Sequence, residues 1–149
     1  MFLTIRGAKD GSDFAICMAI RMEVFVREQH VPLDEEMDEF DATATHYLAL
    51  LGGVPIATAR TRLLPDGTAK IERVAVREEH RRHGYGLQLM SHLIAELRKK
   101  PDLKGITIHA QMVALPFYEK MGFVADEQLF LEAGIAHRRM VLQDESARS

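Results

Sequence analysis

The sequence predicts an α/β domain built on a mixed, largely antiparallel sheet, and three observations carry the prediction. Three strand-like runs, HYLALL, PIATARTRL and TAKIERVAV, follow one another, separated by Gly52-Gly53 and by Pro65-Asp66-Gly67, turn signals of the hairpin kind. Past Val76 the period becomes that of a helix: Leu87, Met90, Leu93, Ile94 and Leu97 fall on one side, and Gln88, Ser91, Glu96 and Arg98 on the other. GITIHA then reads as a strand again, with Ile106 and Ile108 inward. Residues 69–110 therefore form a strand-helix-strand crossover, the parallel element of the sheet.

The other elements fall around that centre. Residues 3–6 read as a short strand. Residues 12–25 read as a helix, with Ser12 or Asp13 as N-cap and Phe14, Cys17, Met18 and Met22 near helical spacing. The acidic stretch PLDEEMDEFD is irregular or briefly helical. After the crossover, ALPFYEKMG reads as a short helix stopped by Gly122, and strands at 124–131 and 135–142 flank the turn EAG. A chain of 149 residues, 47% hydrophobic and 28% charged, suits one core, and no repeat or linker marks a boundary. Residues 1–149 are expected to be a single domain with a frayed polar tail at 143–149.

Composition narrows the function. A net charge of -3 gives no general attraction to nucleic acid or to membranes. The apolar runs fall short of the ~20 residues that span a bilayer. MFLTIRGAKD has neither an apolar leader core nor a cleavage site, so a cytoplasmic protein is expected. The single cysteine, Cys17, permits no internal disulfide and sits on an apolar helix face, where it reads as an inert core residue replaceable without loss of turnover. Among seven histidines there is no HExxH, and His80 and His83 lack a third ligand nearby in sequence, so no metal is expected.

The chemistry concentrates in EEHRRHGYGLQLM, residues 78–90, between a strand and a helix. The first turn of a helix leaves N–H groups unpaired, and the macrodipole favours an anion there. Gly84 and Gly86 let a ligand approach the backbone, and Arg81 and Arg82 offer planar donors suited to phosphate oxygens. A pyrophosphate fits this pattern. A dinucleotide fingerprint would need a third glycine where Leu89 stands, and a P-loop would need GxxxxGK[ST], which is absent. A basic helix start with ordinary capping glycines remains the plain alternative.

RRHGYG after KIERVAV resembles the acetyl-CoA signature of the GNAT acetyltransferase superfamily, [QR]-x-x-G-x-[GA], and the later FYEKMGF resembles the same family. RMEVFVREQHVP, ALPFYEKMGF and FLEAGIAH are similar to segments of its ElaA/YjcF-like branch, in the same order across residues 16–141. One departure is Ala136, where that branch usually carries proline. The resemblance implies about seven strands, helices on both sheet faces, and a V-shaped cleft between the fourth and fifth strands. It implies acetyl-CoA with its pantetheine arm along Val74, Ala75 and Val76 and its pyrophosphate on Arg81, Arg82, His83, Gly84, Tyr85 and Gly86. Gln111, Phe117 and Tyr118 fall on the cofactor side.

By the same resemblance Tyr118 is the acid that protonates the departing thiolate. Glu72 is a base candidate, because alternation along the strand places it on one face with Val74 and Val76. Arg21, Phe25, Glu28, Gln29 and His137 are expected on the acceptor side. Arg21 reads equally as an ion-pair partner of Asp41 or Glu28, and His46 and His137 as buried hydrogen-bonding residues or second base candidates. The acidic run Asp34, Glu35, Glu36, Asp38, Glu39 and Asp41 is either a solvated face or a device that draws a cationic amine.

The function so implied is transfer of acetyl from acetyl-CoA to a primary amine of a small molecule or peptide, by direct attack in a ternary complex. A non-catalytic acyl-CoA-binding module and, more remotely, a nucleotide-binding domain are the alternatives. Relatives often pair through terminal strands, which leaves a homodimer open on analogy.

Overall fold

The computed structural model describes residues 2–143, so residues 144–149 of the expected polar tail lie outside the described residues. In chain order the elements are β1 (Leu3–Gly7), α1 (Gly11–Arg21), α2 (Leu33–Glu36), β2 (Thr45–Leu51), β3 (Val54–Leu63), β4 (Thr68–Val76), α3 (Tyr85–Arg98), β5 (Gly105–Gln111), α4 (Leu115–Glu119), β6 (Phe123–Glu132) and β7 (Ile135–Leu142). The strands form one sheet in the order β1-β2-β3-β4-β5-β7-β6. Among the described residues only β4 and β5 run parallel, joined by the α3 crossover; every other pair is antiparallel.

Hairpins set the registers. Gly52 and Gly53, both at positive φ, close β2 on β3 with Leu51 opposite Val54. Ala133 and Gly134, again both at positive φ, close β6 on β7 with Glu132 opposite Ile135.

Helices cover both faces. On one side α3 buries Leu89, Met90, Leu93 and Leu97 against Ile56, Ile71, Ile106 and Ile108; on the other, Cys17, Ile20 and Val24 pack with Leu48 and Ala75. The predicted stripe on α3 is therefore shifted at its start: Leu89 is fully buried, whereas Leu87 is 47% exposed at the mouth of the cleft described below.

The first helix departs from expectation at both ends. Its N-cap is Asp10, whose Oδ1 accepts from Asp13 N at 2.9 Å. Asp13 cannot cap, because its carboxylate is engaged by Arg6 and by Lys9 N. At the other end α1 stops at Arg21 and continues over Met22–Glu28 as a wider π-type turn, a form that recurs near functional sites.

β4 carries the irregularity that shapes the site. Glu72 lies opposite Arg60 and Ala75 opposite Thr58, so Arg73 and Val74 together face the single residue Ala59. This is a β-bulge, and Arg73 takes φ 54° within it.

Candidate active site

β4 and β5 pair from Thr68 opposite Gly105 to Ile71 opposite Ile108 and no further. Past that point β4 follows β3 and β5 follows β7, so the two strands diverge. The wedge between them is a cleft of about 1010 Å³, within reach of a large cofactor. The edge of β4 from Glu72 to Val76 is left without a strand partner on this side. The divergence expected from the sequence is thus present, and the bulge at Arg73 accompanies it.

One end of the cleft is the loop before α3. Arg82 at φ 68° and Gly84 at φ 81° alternate with ordinary residues, a backbone form that turns successive N–H groups inward. Among the described residues, the N–H groups of residues 82–87 find no acceptor in the chain; Gln88 N is the first to bond, to Gly84 O at 3.1 Å. A Cβ on Gly86 would stand 3.5 Å from Phe117 Cζ and 3.7 Å from Val76 Cγ2, so the glycine keeps the approach to these N–H groups narrow but open. Of the residues the sequence singled out in this loop, Arg82, Gly84, Tyr85 and Gly86 line the cleft, and the His83 ring stands 5.9 Å from that of Tyr85.

Arg81 lines the cleft, and its guanidinium is engaged within the chain through two of its three nitrogens. Its Nε donates to Val76 O at 2.8 Å and its Nη2 to Glu28 Oε2 at 2.8 Å. Its own N–H bonds Glu78 O. The Arg81 side chain is a strut between β4 and the π-type turn, and Glu28, expected at the acceptor, is the strut's other end. Gln29 and Gln111 bridge the cleft floor, Gln111 Nε2 donating to Gln29 Oε1 at 2.9 Å. Phe25, Gln29, Gln111 and His137 all line the cleft.

Tyr118 lines the same cleft, half-buried, with its ring edge-on to Phe117 at 5.0 Å and to Phe123 at 5.9 Å. Its hydroxyl makes no hydrogen bond among the described residues. Burial pushes the phenol up to about 12, so the group is protonated at any working pH and remains a donor.

Two sequence expectations are corrected by the bulge and its surroundings. Glu72 does not share a face with Val74 and Val76, because the extra residue inverts the alternation: Val74 and Val76 pack toward α3, and Glu72 turns to the face of Ala75. There its carboxylate meets Arg60 Nε at 3.0 Å, Arg62 Nε at 2.6 Å and Lys70 Nζ at 3.0 Å. Burial raises the Glu72 carboxyl, but the Arg62 hydrogen bond and the Lys70 and Arg60 charges outweigh it and hold the group at about 2. A carboxylate so held is a poor proton acceptor near neutral pH.

Arg21 is likewise structural. It is 1% exposed, with Nε on Glu36 at 2.8 Å and Nη1 on Asp41 at 2.6 Å, so of the two readings the ion pair with Asp41 is the one present.

The acidic run divides. Glu36, Asp38 and Asp41 face Arg21, Arg60 and Arg73, and only Asp34, Glu35 and Glu39 are exposed. His46 is a buried hydrogen-bonding histidine, Nε2 on Asp41 O at 2.9 Å, with Phe14 edge-on at 4.8 Å. Cys17 is buried, and burial pushes its thiol up, consistent with a core role. Among the described residues no cluster has the makings of a metal site, and no helix is long and apolar enough to cross a membrane.

Among the cleft residues that escaped the sequence reading are His109 and Glu132, joined through Nδ1 and Oε1 at 3.0 Å. A signal existed for one of them. With Ile106 and Ile108 inward, His109 must point from β5 to the opposite face.

Comparison with known proteins agrees with this geometry. Residues 8–143 match a family model described as an acetyltransferase (GNAT) domain. The chain is 37% identical over 135 residues to the uncharacterized N-acetyltransferase YjcF of Bacillus subtilis, covering 90% of this chain and 95% of that protein. Its fold is similar to Escherichia coli ElaA, with a TM-score of 0.85 and 25% identity over 95% of this chain and 100% of that one. It is also similar to an acyl-CoA N-acyltransferase from Pseudomonas aeruginosa, with a TM-score of 0.83 and 26% identity over 95% and 99% of the two chains. The parted strands, the open helix start between them and the family match over nearly the whole length have one explanation: this chain belongs to the GNAT family of N-acetyltransferases, whose acetyl donor is acetyl-CoA.

Proposed function

We propose that residues 1–149 form one N-acetyltransferase domain that moves an acetyl group from acetyl-CoA to a primary amine of a small molecule or peptide, by direct attack with both substrates bound. The observation that supports this most is the meeting in one cleft of three free features: the unbonded N–H groups of residues 82–87, the unpartnered edge of β4, and the unbonded hydroxyl of Tyr118. Acetyl-CoA supplies a thioester-activated acyl carbon.

The donor set suits that ligand. The N–H groups of residues 82–87 and the exposed Arg82 receive a pyrophosphate, as helix starts do, and the edge at Val74, Ala75 and Val76 lies along an amide-bearing arm as an added strand would. In this reading Val74 N–H polarises the acyl oxygen, and Tyr118 Oη gives its proton to the departing sulfur. Phe25, Gln29 and His137 border the amine's side of the cleft. Among the described residues no cysteine, serine, threonine or lysine lines the cleft, and direct attack requires none; the gain comes from holding two reactants in line.

Calorimetric titration with coenzyme A, followed by single-turnover thiol release from acetyl-CoA with a panel of amines and peptides, tests the reading. Binding heat together with amine-dependent thiol release is the expected result. Binding without release from any amine identifies a non-catalytic acyl-CoA-binding module, and no heat at millimolar coenzyme A ends the assignment.

A further inference from the structure

Attack on a thioester needs an amine without its extra proton, and Glu72 is committed to three cations. On the acceptor side of the cleft β5, β6 and β7 bring together His109, Glu132 and His137. The hydrogen bond from His109 holds the Glu132 carboxyl below its ordinary value against its burial. An ionised carboxylate only accepts, so His109 Nδ1 carries the hydrogen of this bond, and in the neutral ring that leaves the lone pair on Nε2. That Nε2 makes no hydrogen bond among the described residues, on a side chain 29% exposed.

His137 is engaged differently. Its Nδ1 meets Ile135 O at 2.6 Å, its Nε2 faces Glu132 Oε2 at 3.7 Å, and its ring stacks on Phe130. Phe130 also stands edge-on to His109 at 4.9 Å and fixes that ring from the side. Beside His109 is a polar niche of about 30 Å³ lined by Lys70, Ile71, Glu72, Arg73, His109 and Glu132, enough for one water molecule.

We propose that His109 is the base of the reaction, its Nε2 taking a proton from the acceptor ammonium while Glu132 orients the ring and balances the charge. The inference rests on the acetyltransferase reading above. In the step, one N–H bond of the ammonium breaks, its electron pair stays on nitrogen, and the proton bonds to His109 Nε2. The resulting imidazolium faces Glu132 and returns its proton to water.

The charged groups around His109 are Glu132 from β6, Lys70, Glu72 and Arg73 from β4, and His137 and Arg139 from β7. Lys70 is matched by Glu72, Arg73 by Glu36 and Asp38, and Arg139 stands 3.9 Å from Asp126. Glu132 is thus the carboxylate that answers the new charge.

Nitrogen NMR of the imidazoles in the coenzyme A-saturated protein reads the tautomer directly. Hydrogen on Nδ1 is expected for the neutral form of His109, and that preference should be lost in Glu132→Gln. Hydrogen on Nε2 overturns the proposal whatever amine the enzyme accepts.

Kinetics add a second arm with diaminobutane, an ammonium at neutral pH, and hydroxylamine, a neutral amine. His109→Gln should lower turnover of diaminobutane about 10²-fold and leave hydroxylamine nearly unaffected. Equal losses with both, or none with either, overturn it. Glu132→Gln should move the acid limb of the kcat/KM profile to lower pH and Glu132→Asp should restore it; an unmoved limb removes Glu132 from the role. Coenzyme A titration of each protein separates the two levels: no heat in the wild type defeats the acetyltransferase reading, whereas normal heat with the wrong tautomer defeats only the base.

Discussion

Tyr118 is a side chain whose proposed role depends on lacking a partner. Its ring is held by Phe117 and Phe123, and its hydroxyl has no hydrogen-bond partner among the described residues. Removing that hydroxyl should cost little stability. Tyr118→Phe is expected to bind coenzyme A as the wild type does and to lose about 10²-fold in kcat, measured by thiol release. His109 belongs to the same class, with one ring nitrogen anchored and the other free. Arg21, Arg81 and Glu72 belong to the opposite class, every one of them tied to partners. Residue type does not separate the two classes, because an arginine beside a phosphate and an arginine beside a carboxylate are the same letter. What separates them is the partner list, which only the folded chain supplies.

At the scale of elements, α3 and the bulged β4 make the cleft. The start of α3 carries two glycines that do different things. Gly84 stands at φ 81°, where an L side chain is strained, and Gly86 stands in the helix with only ordinary contacts around a would-be Cβ. Gly84→Ala should therefore lower stability by about 1 kcal/mol in urea unfolding. Gly86→Ala should keep or slightly raise stability, since alanine suits a helix better. It should nonetheless weaken coenzyme A binding about tenfold, because the new methyl group narrows the approach to the N–H groups of residues 82–87. Calorimetry beside thermal unfolding reads both variants. The bulge at Arg73 was not legible in TAKIERVAV: strict alternation is the default of a strand, and nothing local in the sequence announces the extra residue that inverts it.

Across the whole molecule a charge network ties α1 and the acidic segment after it to the sheet. Arg21 on α1 joins Glu36 and Asp41, Arg60 on β3 joins Asp38, Asp41 and Glu72, and Arg73 on β4 joins Glu36 and Asp38. Arg21 and Arg60 are almost fully buried, so removal of one carboxylate leaves charge uncompensated; Glu72→Gln should cost about 3–5 kcal/mol at pH 7.

Acid should act on the same bonds. The folded chain holds Glu72 at about 2 against an ordinary 4.5, so it binds that proton more weakly than the unfolded chain does. The stability linked to Glu72 is complete above about pH 4.5 and disappears as the pH falls toward about 2, a loss of about 3 kcal/mol. Asp38 and Asp41, also held low, act in the same direction, and Glu36, raised chiefly by burial, opposes them. Urea unfolding should show the gap between wild type and Glu72→Gln narrowing as the pH falls; a constant gap would remove the network from this role.

The sequence by itself determined the strand and helix order, the hairpin turns, the crossover and the glycine-bearing helix start, because period, turn residues and backbone freedom are local properties written in consecutive residues. Only the tertiary structure decided which charged side chains face the cleft and which face one another. Those pairings join residues as far apart as Glu28 and Arg81, or His109 and Glu132, and for Glu72 the partners follow from one bulge that shifts the faces of β4.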